Sequence, residues 1–221
     1  MRRPGMHRPV LLLVWLVFAI STVGTTAAQE SRALCCSHFD YLLEKTIFKV
    51  DAVRLDLTIR DATPDRVVEL VTGRADPRAW SDSVAALYLG VDHASVRMTF
   101  LRSFGLNRFL DANRDVMQKL ARAGLITEEE LEELDAENRA RFEGLAEDGI
   151  RDGDVIEHEL RGDTVTTRYT DVTGTVRIDG LLVGSQERTV LLGSLFGPGS
   201  EFRNGLLDLV FTRAKTFGAG E

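Results

Sequence analysis

Two charged residues interrupt a stretch of alternating sequence and could provide polar chemistry beside an apolar surface. In TIFKVDAVRLDLTI, residues 46–59, a two-residue period places Lys49 and Asp51 on the same strand face as Val53 and four further aliphatic residues. An ammonium group and a carboxylate on such a face could contact the polar part of a ligand in a cleft. The alternative is an ion pair at the end of the strand in solvent, which would contribute little stability. The sequence leaves both interpretations open.

Arg102 is the next candidate for polar chemistry. It extends the alternation of ASVRMTFLRSF, residues 94–104, in which three apolar residues share one face. A guanidinium group binds a carboxylate through two parallel hydrogen bonds, so Arg102 could hold the carboxylate of a ligand. An internal salt bridge with Asp92 or Asp111 is the alternative.

Asn113 and Asn138 each interrupt an apolar helical stripe. A buried amide without a partner costs roughly 1 to 3 kcal/mol. We expect the two consecutive antiparallel helices to let these amides satisfy each other. Contact with a ligand is the alternative, and Asn113 stays a candidate ligand-binding residue.

Standard catalytic signatures are absent from the sequence. It contains no P-loop and no G-x-G-x-x-G, H-E-x-x-H, C-x-x-C or G-x-S-x-G motif. We interpret His38, His93 and His158, which lie in different elements, as surface or capping residues. No spacing of carboxylates indicates an acid and base pair. The sequence therefore predicts no catalytic residue, no metal site and no cofactor.

The N-terminus has the pattern of an export signal. Arg2, Arg3 and Arg8 precede an apolar run at residues 10–20, and small residues follow before Gln29. We expect cleavage after Ala28, no transmembrane span after that cleavage, and a periplasmic or secreted protein. The run is short for a membrane-spanning helix, which needs roughly 20 apolar residues, and an uncleaved anchor is the alternative.

Charge and cysteine content limit the partners. Cleavage would change the formal charge from −7 to −10, because it removes three arginines and no acid. Such an acidic chain repels phosphate backbones, so we expect no nucleic-acid partner. Cys35 and Cys36 are adjacent and could bridge each other only through a strained ring. We expect free thiols or an intermolecular bridge.

The elements that must position these residues follow from periodicity and turn signals. A long strand is followed by short helices at 64–71 and 79–90 and by the strand over 94–104. Arg54 and Asp56, on the opposite face of the long strand, are predicted to be solvated. Further along, the patterns indicate one helix over 105–123 and a second helix that begins at a capping box of Thr127 and Glu130. A meander of antiparallel strands is predicted from residue 151, with RGD at a hairpin turn. Two final helices are predicted to be split by GPGS, with Ser200 as the N-cap of the last one.

The order of these elements resembles the chalcone isomerase-like family. The matching patterns are IFKVDAVRLDLTI, ALYLG, RMTFLRSFGLNRFLDA, IRDGDVIEHEL, TGTVRIDG and LGSLFGPGSEFRNGLL, over about residues 42–210. The resemblance implies an α+β fold, an open-faced β-sandwich whose large antiparallel sheet is covered by helices around an elongated apolar cleft. We place the N-terminal segment at 29–41, this domain at 42–214 and a C-terminal tail at 215–221.

The resemblance implies either isomerisation or binding. Plant members cyclise chalcones to flavanones, whereas other relatives bind fatty acids without catalysis and hold the carboxylate with an arginine and a tyrosine. The family's arginine falls in residues 36–45, which offer only Lys45, and its reactive threonine falls at or near Asp51. Its tyrosine corresponds to Phe109, which has no hydroxyl group. A carboxylate at Asp51 would repel a developing enolate unless Lys49 offsets its charge.

The sequence thus predicts an exported, non-catalytic protein that binds a fatty acid or a similar amphipathic small molecule in an apolar cleft. An isomerase or lyase acting on an enone-like substrate, with Lys49, Asp51 and Arg102 as polar groups, is the alternative. A structural partner of another protein in the cell envelope is a third hypothesis. The candidate ligand-binding residues are Lys49, Asp51, Arg102, Phe109 and Asn113.

Overall fold

One antiparallel sheet organises the molecule. The computed structural model describes residues 37–43, 53–60, 64–72 and 77–218. Within these ranges six strands pair in chain order, each antiparallel to the next. The strands are β1 (His38–Leu43), β2 (Val53–Ile59), β3 (His93–Phe100), β4 (Val155–Arg161), β5 (Thr164–Thr170) and β6 (Val176–Val183).

Six α-helices and one 3-10 turn lie in the described ranges. They are α1 (Pro64–Val71), α2 (Pro77–Leu89), α3 (Leu106–Arg122), α4 (Glu128–Phe142), the 3-10 turn Glu143–Leu145, α5 (Ser185–Phe196) and α6 (Arg203–Gly218). The strands and helices predicted from the sequence are found, with shifted boundaries. Strand β1, His38–Leu43, was not predicted; it pairs with β2 and forms an edge of the sheet.

The covered face of the sheet carries the apolar residues. Cross-strand partners project to the same side of a sheet, so the register defines rows of neighbouring side chains. One row crosses all six strands and consists of Tyr41, Leu55, Met98, Ile156, Tyr169 and Ile178. The next row consists of Phe39, Leu57, Val96, His158, Thr167 and Gly180.

The open face of the sheet is polar. Its central row consists of Asp40, Asp56, Arg97, Glu157, Arg168 and Asp179. Two cross-strand ion pairs lie in this row, Arg97 with Glu157 at 2.5 Å and Arg168 with Asp179 at 2.9 Å. Arg54 and Asp56 are exposed, as predicted.

Helices α1, α2, α5 and α6 share the largest core cluster with the sheet, which contains Leu55, Leu57 and other covered-face residues from β1 to β5. Aromatic stacking joins α2 to both C-terminal helices: Trp80 stacks on Phe211 with ring centroids 5.1 Å apart, and Tyr88 stacks on Phe196 at 4.6 Å. Burial of such large rings fixes α2, α5 and α6 on the sheet.

Helices α3 and α4 form a hairpin over the rest of the covered face. The predicted capping box is present, because Thr127 and Glu130 exchange hydrogen bonds between side chain and backbone. The carboxylate of buried Asp135 on α4 accepts hydrogen bonds from the guanidinium groups of Arg114 on α3, at 2.5 Å, and Arg139 on α4, at 3.0 Å. A paired, hydrogen-bonded carboxylate of this kind holds the two helices in register.

Close approach fixes the hairpin against α5. A Cβ atom at Gly193 would lie 2.8 Å from a methyl group of Leu120, so any larger residue there would force Leu120 to move. The two C-terminal helices are split at GPGS as predicted. Ser200 accepts a hydrogen bond from the Phe202 backbone N–H at 3.2 Å, although α6 begins only at Arg203. Among the described helices, none combines the length and apolar content needed to cross a membrane.

Candidate functional site

A cavity of about 500 Å³ lies between the covered face of the sheet and helices α3, α4 and α5. This volume falls in the range of small-molecule sites, roughly 300–1,000 Å³. The lining is mostly apolar. The sheet contributes Met98, Phe100, Ile156, Val165 and Leu182, and the helices contribute Phe109, Val116, Met117, Phe142, Val190 and Leu191.

Small residues leave this space open. Thr167 lines the cavity from the middle of β5, and Gly180 lies opposite it on β6. A Cβ atom at Gly180 would meet no atom within 4 Å. Ala112 lines the cavity from α3, which with α4 and α5 forms the helical wall. The hairpin of α3 and α4 therefore spans this part of the sheet without filling it.

The cavity opens to solvent along α3. Arg108, Asp111, Ala112 and Asp115 line the cavity and are also exposed. Exposed polar side chains at the mouth and an apolar interior are typical of sites that admit amphipathic molecules.

A histidine and a threonine meet on the floor of the cavity. His158 and Thr167 are cross-strand partners, and the His158 Nδ1 atom lies 2.9 Å from the Thr167 Oγ1 atom. Burial and, to a smaller extent, the nearby positive charge of Arg141 together lower the pKa of His158 to about 4. At neutral pH the imidazole is therefore uncharged.

Glu187 adds a carboxylate from the first turn of α5. Burial raises the pKa of Glu187, Arg141 opposes this increase, and Glu137 adds to it. Glu187 and Arg141 both line the cavity but form no ion pair, so their opposite charges act on each other only at a distance.

Two hydrogen-bond donors on α4 have no partner among the described residues. Asn138 and Arg141 line the cavity one helical turn apart, a spacing that places side chains on the same helix face. The Asn138 Nδ2 atom is buried and donates to no atom in the described part of the chain. Among the residues that the structure describes, the Arg141 guanidinium group makes no hydrogen bond and no ion pair. The prediction that the amides of Asn113 and Asn138 satisfy each other is wrong, because the Asn138 amide donates to no group.

The structure brings two of the predicted site residues to the cavity. Phe109 and Asn113 of α3 both line it, and Phe109 packs edge-on against Phe142 with ring centroids 4.9 Å apart. Contact of either residue with a ligand stays a prediction. Lys49 and Asp51 lie outside the described residues, so the choice between cleft contacts and a solvent ion pair stays open.

Arg102 lies away from these residues. Its side chain is exposed and does not belong to the lining of the cavity. The alternative, an internal salt bridge with an acid such as Asp92 or Asp111, is wrong, because Arg102 makes no ion pair with any described residue. Asp92 pairs instead with Arg188 at 3.0 Å, and Asp111 pairs with Arg139 at 3.4 Å. Arg102 follows the end of β3, so the alternation that placed it beside Phe100 no longer applies.

Sequence reasoning missed the polar groups of the interior. The interpretation of His158 as a surface or capping residue is wrong, since it lies between Ile156 and Leu160 in the inward positions of β4. This alternation was visible in the sequence. Arg141 follows Asn138 by three residues on the apolar stripe of α4, which was also a readable signal. Glu187 carried no comparable signal.

Comparison with known proteins bears on the fold. No protein-family model matches the sequence, and no curated protein matches it. The chain is similar to the crystal structure of a fatty-acid binding protein from Arabidopsis thaliana, with a TM-score of 0.53 and 13% sequence identity. The match covers 83% of this chain and 89% of that chain. The predicted fold class, an α+β chalcone isomerase-like fold with an open antiparallel sheet covered by helices, is confirmed.

Proposed function

We propose that this protein binds a fatty acid or a similar amphipathic small molecule in the cavity and does not transform it. The observation that carries this proposal is the cavity of about 500 Å³ with apolar walls and a few polar groups. The similarity in fold to a fatty-acid binding protein supports it.

The cavity suits an alkyl chain in energetic terms. Burial of each methylene group contributes roughly 0.8 kcal/mol, so an alkyl chain gains affinity in proportion to the length that fits. The walls provide rings and branched side chains from both the sheet and α3, including Phe100, Phe109 and Val116. A polar ligand of the same size would leave its hydrogen-bonding groups unpaired against these walls.

The lining favours binding over the isomerase alternative. The resemblance places a catalytic tyrosine at Phe109, and this phenyl ring offers no hydroxyl group to an enolate. The imidazole of His158 already bonds with Thr167. The lining within the described residues therefore lacks a hydroxyl group at the position where the resemblance requires one.

A pair of tryptophan variants tests whether the cavity is the binding site. Ala112→Trp places an indole in the lining, whereas Ala136→Trp, on α4, places the same indole on an exposed surface outside it. We expect calorimetric titration with dodecanoate to show saturable binding at one molecule per chain for the unsubstituted protein and for Ala136→Trp. Ala112→Trp should weaken this binding at least tenfold. The proposal fails if the unsubstituted protein takes up no fatty acid of any chain length, or if both variants bind equally.

We also propose that the protein acts after export, on the basis of the N-terminal sequence pattern alone. Residues 1–36 lie outside the described residues. A mature protein whose first residue is Gln29 would support cleavage of a signal, and a mature protein that retains Met1 would support an anchor instead.

A further inference from the structure

Asn138 and Arg141 form a group of donors aimed at the same space. Both side chains line the cavity from α4, at positions i and i+3. Two other arginines of the α3 and α4 hairpin are paired with carboxylates: Arg114 binds Asp135 and Glu132, and Arg139 binds Asp135 and Asp111. Arg141 differs from them because it lines the cavity and pairs with no carboxylate of the described residues.

A buried donor without a hydrogen bond is costly to maintain, because the group loses its hydration and gains nothing in exchange. The Asn138 Nδ2 atom is in this state within the described part of the chain. The Arg141 guanidinium group is half-buried, and none of its N–H groups donates to a described residue. A ligand oxygen placed between these two side chains would satisfy both.

Neither Glu187 nor His158 accepts a hydrogen bond from Arg141 or Asn138. Glu187 lies within electrostatic range of Arg141 but makes no ion pair with it. His158 is engaged with Thr167 through its Nδ1 atom. Glu137, which also acts on Glu187, is exposed. No described residue therefore accepts a hydrogen bond from the Asn138 Nδ2 atom or from Arg141.

We propose that Arg141 and Asn138 bind the carboxylate of the amphipathic ligand, so that recognition of the acid group takes place on the helical wall. This inference rests on the proposed function. A guanidinium group binds a carboxylate through two parallel hydrogen bonds, and the Asn138 amide donates a further one. The alkyl chain then lies against the apolar lining. The position differs from that of Arg102, which is exposed and outside the lining.

The proposal predicts selectivity for an acid over an alcohol of equal chain length. Titration calorimetry with dodecanoate and with dodecan-1-ol separates recognition of the carboxylate from burial of the chain. Arg141→Gln should weaken binding of dodecanoate at least tenfold, because loss of one charge-assisted hydrogen bond lowers affinity by about that factor. The same variant should change binding of dodecan-1-ol less than threefold. Arg122→Gln, on the exposed surface of α3 and outside the lining, is the matched control and should leave both affinities unchanged.

Two further variants guard against an effect on folding. Arg141→Lys keeps the charge but loses the fork of donors, so it should recover part of the lost affinity for dodecanoate. Asn138→Leu keeps the volume but removes the amide, and it should weaken dodecanoate binding several-fold while it leaves dodecan-1-ol binding unchanged or stronger. Loss of binding to both ligands in Arg141→Gln would overturn the proposal, because it would show a general effect on the cavity.

The outcomes separate this inference from the proposed function. If the unsubstituted protein binds neither dodecanoate nor dodecan-1-ol, the proposed function fails and this inference fails with it. If the unsubstituted protein binds both ligands and Arg141→Gln binds dodecanoate with unchanged affinity, the cavity is a binding site and only the assignment of Arg141 is overturned.

Discussion

The two faces of the sheet treat charge in opposite ways. On the open face, Arg97 and Glu157 lie opposite each other on neighbouring strands and pair at 2.5 Å in contact with solvent. Over the covered face, Arg141 of α4 lines the cavity without a described partner, close to a neutral His158, and the neighbouring Asn138 Nδ2 atom is buried without a described acceptor. Exposed ion pairs contribute little to stability, whereas a buried donor without a hydrogen bond is costly. In this protein, the side chains that indicate a binding site are therefore the polar ones without a partner, not the paired charges of the open face.

Neighbouring residues of β2 allow the sharpest test of this contrast. Leu57 is fully buried on the covered face and Asp56 is exposed on the open face. Leu57→Ala should lower the free energy of unfolding by about 2–5 kcal/mol, because it removes buried methyl groups and leaves a cavity. Asp56→Ala should change it by less than about 0.5 kcal/mol. Urea unfolding of both variants measures the difference, and similar losses for the two would contradict the assignment of the faces.

The titration of His158 tests the dryness of the cavity. The folded protein holds the pKa of His158 at about 4, below the value of 6.5 for a free histidine. Between these two pH values the unfolded chain binds more protons than the folded one, so stability is complete above pH 6.5 and falls as the pH falls toward 4. The loss attributable to this residue approaches about 3 kcal/mol.

His158→Gln isolates that contribution. Glutamine cannot titrate in this range and can still bond with Thr167. We expect the free energy of unfolding of the variant to fall less steeply between pH 6.5 and pH 4 than that of the unsubstituted protein. Identical slopes for the two proteins in urea unfolding would show that His158 is hydrated and that the cavity is wet.

The smallest effect is expected on the open face. A double-mutant cycle with Arg97→Ala and Glu157→Ala should give a coupling energy of about 0.2–1 kcal/mol, and high salt should reduce it. Both side chains are substantially exposed, which keeps the attraction weak. A coupling energy above about 2 kcal/mol would mean that another molecule or segment covers this face and excludes water from it.

Periodicity predicted most of the fold because the two faces differ so clearly in polarity. The alternation of β2, β3 and the meander, and the capping box at Thr127 and Glu130, were local signals that the structure retains. β1 was missed, although Phe39 and Tyr41 project inward from HFDYLL in the expected alternation. β1 is short and lies close to the predicted export signal, so its alternation was not recognised as a strand.

The site was harder to predict because it forms from distant elements. Phe109 and Asn113 were named from the sequence and line the cavity, whereas Arg141 and Glu187 meet only through the packing of α4 and α5 beside the sheet. Arg102 continued an alternation that ended with β3 at Phe100, so periodicity alone gave it a false position. Which charges lack partners depends on tertiary contacts, and no local pattern records them.

Native mass spectrometry of the gently purified protein tests the central claim most directly. The account predicts a bound amphipathic carboxylic acid, or a shift in mass by one molecule per chain when dodecanoate is added, and loss of that shift in Ala112→Trp. A protein that is empty when purified and shows no saturable mass shift with dodecanoate or its longer and shorter homologues would contradict the account.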